Sequence, residues 1–311
     1  MIQHTISVII CTHNPRNQYL TRVLQSLKTQ TLSKESWELL LIDNASDKVL
    51  LSEIDLSWHP QSRYLREDEL GLTPARLRGI KESQGETIVF VDDDNVLEPD
   101  YLEVVLRISK NYPVIGAWGG QTIPEFEVEP PIWTKPYWGY LAVLEFQEDK
   151  WSNLLHQNET SPCGAGMCVR KNVANKYADL IKYDSARLKL GRKGLDEKSQ
   201  ILLSGEDKDL AFTACDIGLG TGIFTALRLK HLIPANRVTT EYFVRLIEGT
   251  SYSTKILESL RGKMPDISEP FWKRKLSEFY KLQKMHPQER PFFKAQLRGE
   301  ELARKQVSSW K

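Results

Sequence analysis

The first 120 residues alternate short β-branched runs with amphipathic segments, and few folds accept that order. "ISVIIC" (6–11), "WELLLID" (37–43), "SRYLRE" (62–67), "ETIVFVD" (86–92) and "PVIGAWGGQ" (113–121) read as strands. "SRYLRE" is the most polar of them and is expected near a sheet edge. Helices are expected over 16–30, where Leu20, Val23, Leu24 and Leu27 recur at helical spacing, over 72–85 with Gly85 as the stop, and over 99–111 with Pro99 near the start. Strand and helix in alternation imply an α/β architecture: a mostly parallel central sheet with flanking helices.

Ligands bind such sheets outside the carboxyl ends of the strands. The exits here read Thr12-His13-Asn14, Asp43-Asn44, Arg66-Glu67-Asp68 and Asp92-Asp93-Asp94-Asn95. One polar exit is ordinary turn chemistry; four along one edge make a pocket. Three successive carboxylates are costly to desolvate unless something cationic sits among them. A hard divalent cation is held by one or two carboxylates plus substrate phosphates, which suits a nucleotide diphosphate. The other reading is a solvated acidic turn, and a D-x-D alone is too short to decide.

Beyond 121 the pattern loosens. Residues 121–160 are rich in proline and aromatics and read as a long ordered loop, with Trp133, Tyr137, Trp138 and Trp151 either stacking on sugar or lipid or serving as core. "PCGAGMCVRK" (162–171) reads as a glycine-bearing strand with close backbone approach. "SGEDKDLAFTACDIG" (204–218) reads as a helix capped by Ser204, with Glu206 and Asp207 at its positive end. "IFTALRLKHLIP" is a further strand. Residues 261–311 carry 13 Lys or Arg against 6 Asp or Glu, interleaved with aromatics. That tail is either a brace docked on the rest of the chain or a peripheral anchor at an anionic membrane.

The whole chain has 42 Lys or Arg against 41 Asp or Glu, which gives no reason to expect a nucleic-acid partner. Its 4 cysteines are too few and scattered for a disulfide framework and read as thiols of a cytoplasmic protein. No apolar run reaches the roughly 18–20 residues of a membrane span, and the N-terminus reads as a first strand.

"ISVIICTHN", "ELLLIDNAS", "GLTPARLRGIKESQGETIVFVDDDNVLEPDYL" and "SGEDKDLAF", in that order, resemble the successive motifs of the family 2 glycosyltransferases, which have the GT-A fold. The resemblance covers about residues 5–250. It implies a nucleotide-sugar donor (a UDP-sugar), Mn²⁺ or Mg²⁺, inversion at the anomeric carbon, and a glycan or lipid-linked acceptor of cell-surface polysaccharide biosynthesis. Carried over by position, Thr12 and Asn14 contact the nucleotide and Asp43 binds the base. Asp92 lies toward the ribose and the metal, Asp93 in the middle of the motif, and Asp94 on the metal. Leu77 stands where many relatives have the Asn of "A-R-N". Arg76 and Arg78 remain, either one facing the donor phosphates or lying on the helix surface.

The resemblance also implies roles for Glu206-Asp207, which match the family's "E-D" pair. Inverting transfer needs a base for the acceptor hydroxyl, and the motif places it at Asp207 with Glu206 beside it. Without the resemblance the pair reads as charge complementing a helix dipole. Asp209 is expected to point elsewhere. His231 matches the histidine that completes the metal site in many GT-A enzymes, and a structural histidine is the alternative. His13 reads as a packing or base-stacking position.

The expected organisation is a catalytic domain over 1–260, with a nucleotide-sugar half (1–121) and an acceptor half (122–260), followed by the basic, aromatic helical C-terminal extension, 261–311. Three rivals remain. A sugar-nucleotide pyrophosphorylase would need a glycine-rich first loop, absent from "CTHNPRN". An aspartyl phosphatase usually carries D-x-D-x-[TV] on an early strand, and here Asp94 is followed by Asn95 and Val96. A non-catalytic nucleotide-binding scaffold is disfavoured by four acidic motifs in register.

Overall fold

The computed structural model describes residues 5–188, 190–191, 202–263 and 271–310. The part of the tail over 264–270 lies outside the described residues. The elements in chain order are β1 (Ile6–Thr12), α1 (Asn17–Lys28), β2 (Trp37–Asn44), β3 (Ser62–Glu67), α2 (Leu72–Glu82), β4 (Thr87–Asp92), β5 (Asn95–Leu97), α3 (Tyr101–Asn111) and β6 (Ile115–Phe126). They continue with β7 (Lys150–Ser152), β8 (Cys168–Arg170), α4 (Lys171–Lys182), α5 (Ser185–Leu188), α6 (Glu206–Asp216), β9 (Gly220–Ile233), α7 (Thr240–Leu260), α8 (Phe271–Lys284) and α9 (Arg290–Ser308).

The chain forms two compact units: residues 1–127, 141–194 and 206–233 in the first, and 128–140, 195–205 and 234–311 in the second. α7, which the sequence division groups with residues 1–260, therefore belongs with α8 and α9.

The first unit carries one sheet of order β3-β2-β1-β4-β8-β6-β9-β5, with β7 also on β9. β3, β2, β1 and β4 run parallel. β8 enters antiparallel between β4 and β6, and β6 then runs parallel to β9. β3 is the edge strand that its polarity suggested. Alternate residues of β1 serve opposite faces, as the pleat requires. Ile6, Val8 and Ile10 join Leu20, Val23 and Leu27 of α1 and Leu102 and Val105 of α3. Ile9 joins Ala75 and Ile80 of α2, Val173 of α4 and Leu210 of α6 on the other face.

Gly85 does not stop α2, which ends at Glu82. It lies instead against β1, where an added Cβ would come within 2.5 Å of the Ser7 nitrogen, and its own N–H donates to Ser7 Oγ at 2.8 Å. Gly85→Ala must push backbone from backbone, and is expected to cost about 1–3 kcal/mol in a denaturant titration. A midpoint unchanged from the wild type would contradict this.

In the second unit Trp133 stacks on Phe292 of α9, with centroids 5.4 Å apart and planes 14° from parallel. Tyr137 and Phe243 pack on the same ring. Trp133 and Tyr137 are therefore half-buried packing aromatics of this unit. Ser204, expected as a helix cap, gives its N–H to Ser253 Oγ. Among the described residues no helix is long and apolar enough to cross a membrane.

Candidate active site

Strand register lines up the site. Thr12 lies opposite Asp43, Asp43 opposite Arg66, and Cys11 opposite Asp92, so the carboxyl ends of β3, β2, β1 and β4 meet in one row. The sheet order departs from β1 in both directions, with β2 on one side and β4 on the other, which is where an open parallel sheet leaves its crevice.

Asp92 ends β4 and Asp93-Asp94 make the tight turn to β5, and each carboxylate takes a different partner. Asp92 faces Arg76 at 3.6 Å. Asp93 accepts from Thr12 Oγ1 at 2.5 Å. Asp94 meets His231 Nε2 at 3.4 Å and accepts from Asn95 Nδ2 at 3.0 Å. The His231 contact depends on β5, which pairs antiparallel with β9 and sets Asn95 opposite His231. Separation onto three partners is how one turn holds three adjacent charges.

Arg76 is the cation at the centre. It is 3 % exposed, with Nη1 3.3 Å from Glu206 Oε1 and its guanidinium over the Phe90 ring. Burial pulls its pKa down, but the carboxylates of Glu206, Asp92 and Asp207 outweigh that and raise it, so Arg76 stays charged. Asp207 is held by backbone: Gly164 N–H donates to Oδ2 at 2.9 Å and Lys208 N–H to Oδ1 at 2.8 Å. Glycine at 164 leaves room for this approach, since a Cβ there would lie 2.9 Å from Arg76 Nη2 and 3.3 Å from Asp207 Oδ2 and would push both side chains aside. Arg76, Asp92, Glu206 and Asp207 thus form one charge cluster, while Asp209 points away to a 2.5 Å bond with Arg187 Nη1.

A second group lies at the exits of β1, β2 and β3. Asn14 N–H donates to Ser46 Oγ, and the Asn14 amide bonds both the N–H and the carboxylate of Asp47. Asp43, expected to bind a base, is fully buried, and its carboxylate accepts from Tyr64 Oη at 2.5 Å, Arg66 Nη1 at 2.9 Å and Ser46 N–H at 3.1 Å. Burial raises its pKa, but those donors outweigh it and hold it below the usual range. Its stabilising contribution is therefore present above the unfolded carboxylate pKa and is lost as pH falls through the depressed folded value. His13 Nδ1 lies 2.8 Å from the Asn44 carbonyl.

Two expectations change. Arg78 leaves the site: it is two residues past Arg76 on α2 and pairs with Glu82 at 3.1 Å. Asp92 turns to Arg76 and does not converge with Asp94 and His231. Among the described residues no group of three or more His, Cys, Asp or Glu side chains is arranged to hold a metal ion. Asp94 and His231 do supply two adjacent donors of mixed type, the number expected where substrate phosphates and water complete the shell. Gly164 and Tyr64 were missed as site residues, and Arg66 entered only as part of a polar strand exit. The glycine-bearing "PCGAG" read as close backbone approach, but the partner it approaches lies 43 residues away.

The chain resembles known proteins in both sequence and fold. A putative glycosyltransferase EpsH of Bacillus subtilis is 28% identical over 104 residues, which is 33% of this chain and 29% of that protein. A glucosyl-dolichyl phosphate glucuronosyltransferase of Haloferax volcanii is 23% identical over 136 residues, 40% of this chain and 41% of its own length. The chain thus matches less than half the length of either relative. The crystal structure of S. aureus TarS 1-349 in complex with UDP-GlcNAc superposes with a TM-score of 0.56 at 14% identity, covering 98% of this chain and 83% of that one, which establishes the GT-A fold. The glycosyl transferase family 2 profile matches residues 7–177, more than half of the chain. By that match, and by motifs that meet at the carboxyl edge of its sheet, this chain is a member of the glycosyl transferase family 2.

Proposed function

We propose that this chain transfers a sugar from a UDP-sugar to a hydroxyl of a glycan or lipid-linked acceptor, with inversion and dependence on Mn²⁺ or Mg²⁺, in the synthesis of a cell-surface polysaccharide. The observation that carries the reading is the Arg76-centred cluster, which holds Asp207 and Asp92 together while Asp94 and His231 meet beside it. Asp207, fixed by two backbone N–H groups, accepts the acceptor's proton as its oxygen attacks the anomeric carbon. The bond from that carbon to the diphosphate oxygen breaks on the opposite side, which gives inversion. Asp94 and His231 would hold the divalent ion, which would offset charge on the departing diphosphate. Thr12 and Asn14 face the nucleotide, Asp43 positions Arg66 and Tyr64 from beneath, and Asp92 and Asp93 border the ribose.

The test is calorimetric titration of UDP with and without Mn²⁺. The wild type is expected to bind at least tenfold tighter with Mn²⁺. Asp94→Ala is expected to lose that increment while keeping its thermal midpoint within a few degrees. Equal Mn²⁺ enhancement in both proteins would overturn the metal assignment.

A further inference from the structure

α8 is built inside out. A surface helix normally turns its apolar stripe to the core and its charges to water. Here Trp272, Leu276, Phe279 and Tyr280 are 63 %, 48 %, 56 % and 58 % exposed. At 3.6 residues per turn these four fall within an arc of about 100°. The opposite side carries Arg274 and Glu278, which pair at 3.6 Å and are the less exposed side chains. A lone exposed aromatic is unremarkable, but four in one stripe, with an ion pair turned inward, need an occupant.

The charges around the stripe identify the occupant. On the helical wheel Lys273 and Lys284 border one edge and Lys275 the other, and Lys273 Nζ lies 5.6 Å from the centre of the Trp272 ring. Residues 271–284 contain five Lys or Arg and one Glu, a net +4. Just beyond, Arg290, Lys294 and Arg298 recur every four residues on α9 and line a cleft of about 500 Å³. Protein interfaces deplete lysine at their centres, whereas a helix lying in a bilayer surface pairs an apolar face with lysines whose stems reach up to the headgroups. Trp and Tyr are the aromatics favoured at that depth.

We infer that α8 is a membrane-surface helix that seats Trp272, Leu276, Phe279 and Tyr280 in the headgroup boundary of an anionic bilayer. Lys273 and Lys284 add to this by pairing with lipid phosphates. The inference does not rest on the proposed transferase reaction.

The experiment is vesicle flotation of the full chain in 50 mM salt, with vesicles of phosphatidylcholine alone or with 30 % phosphatidylglycerol. The wild type is expected to float with the anionic vesicles, to float at least tenfold less with the neutral ones, and to be released at 500 mM salt. Trp272→Ser with Phe279→Ser is expected to lower partitioning at least tenfold. Lys273→Gln with Lys284→Gln, which leaves the apolar stripe intact, is expected to lower it by about 30-fold, from roughly 1 kcal/mol per lysine. Unchanged circular dichroism in both variants keeps folding out of the comparison. No flotation of the wild type at 50 mM salt would overturn the proposal. So would dimerisation in sedimentation that Trp272→Ser with Phe279→Ser abolishes, since the stripe would then be covered by a second copy.

Discussion

Asp207→Asn is expected to lower UDP release from a UDP-sugar by about 10²–10⁴-fold, the usual worth of a general base. The amide keeps the shape, but with a single acceptor oxygen it keeps only one of the bonds from Gly164 and Lys208 N–H, and it cannot take a proton. Donor affinity is expected to hold within about twofold, because Asp207 bonds to backbone and faces the acceptor's side of the reaction in the proposed mechanism. A parallel collapse of donor binding would make Asp207 a ligand or a structural acid. Asp207→Glu is the complementary variant: it keeps the base but moves it by one methylene, and partial activity is expected.

Arg76→Met is expected to be the most destabilising substitution in the site. It removes the cation while retaining most of the apolar volume over Phe90. Glu206, at 5 % exposure, would be left buried and short of its counter-charge. Breaking a buried pair in this way costs about 3–5 kcal/mol. The side chain of Asp92 is 36% exposed and relaxes into water, so the loss falls mainly on Glu206. A fall of roughly 10 °C in Tm is expected for a domain of this size. The double variant Arg76→Met with Glu206→Gln is expected to recover part of it, because the stranded charge is gone. Equal Tm values for the single and double variants would show that Arg76 stabilises through packing alone.

How far these assignments were legible depends on whether the deciding contact is local. β1, β2 and β4 were readable to within a residue or two, because buried parallel strands are unbroken apolar runs between polar exits, and the polarity of β3 marked it as the edge. The choice of Arg76 over Arg78 was also written in the sequence. Thr73, Arg76 and Ile80 share one face of α2, and that face is buried, whereas Arg78 lies off it beside Glu82. Helical spacing applied to the arginines, and not only to the apolar residues, would have separated them.

Other features could not be read because their partners lie far along the chain. β5 is three residues long, too short for a periodic pattern, yet its pairing with β9 brings His231 to Asp94 across 137 positions. β8 is as short and sits antiparallel in an otherwise parallel neighbourhood. The buried Asp43 carboxylate is satisfied by Tyr64 and Arg66 of the neighbouring strand β3, partners more than 20 positions along the chain. Trp133 and Tyr137 looked equally suited to a sugar surface or a core, and their packing on Phe292 lies more than 150 residues on, beyond the reach of any local pattern.

UDP release by the full chain, with a panel of UDP-sugars, Mn²⁺ and water or added glycans as acceptors, tests the central claim most directly. The account predicts steady turnover with at least one donor, abolished by chelation and reduced by Asp207→Asn to about a hundredth or less. Turnover that survives chelation and is equal in wild type and Asp207→Asn would contradict it, as would calorimetry showing that the wild type binds no uridine diphosphate at all.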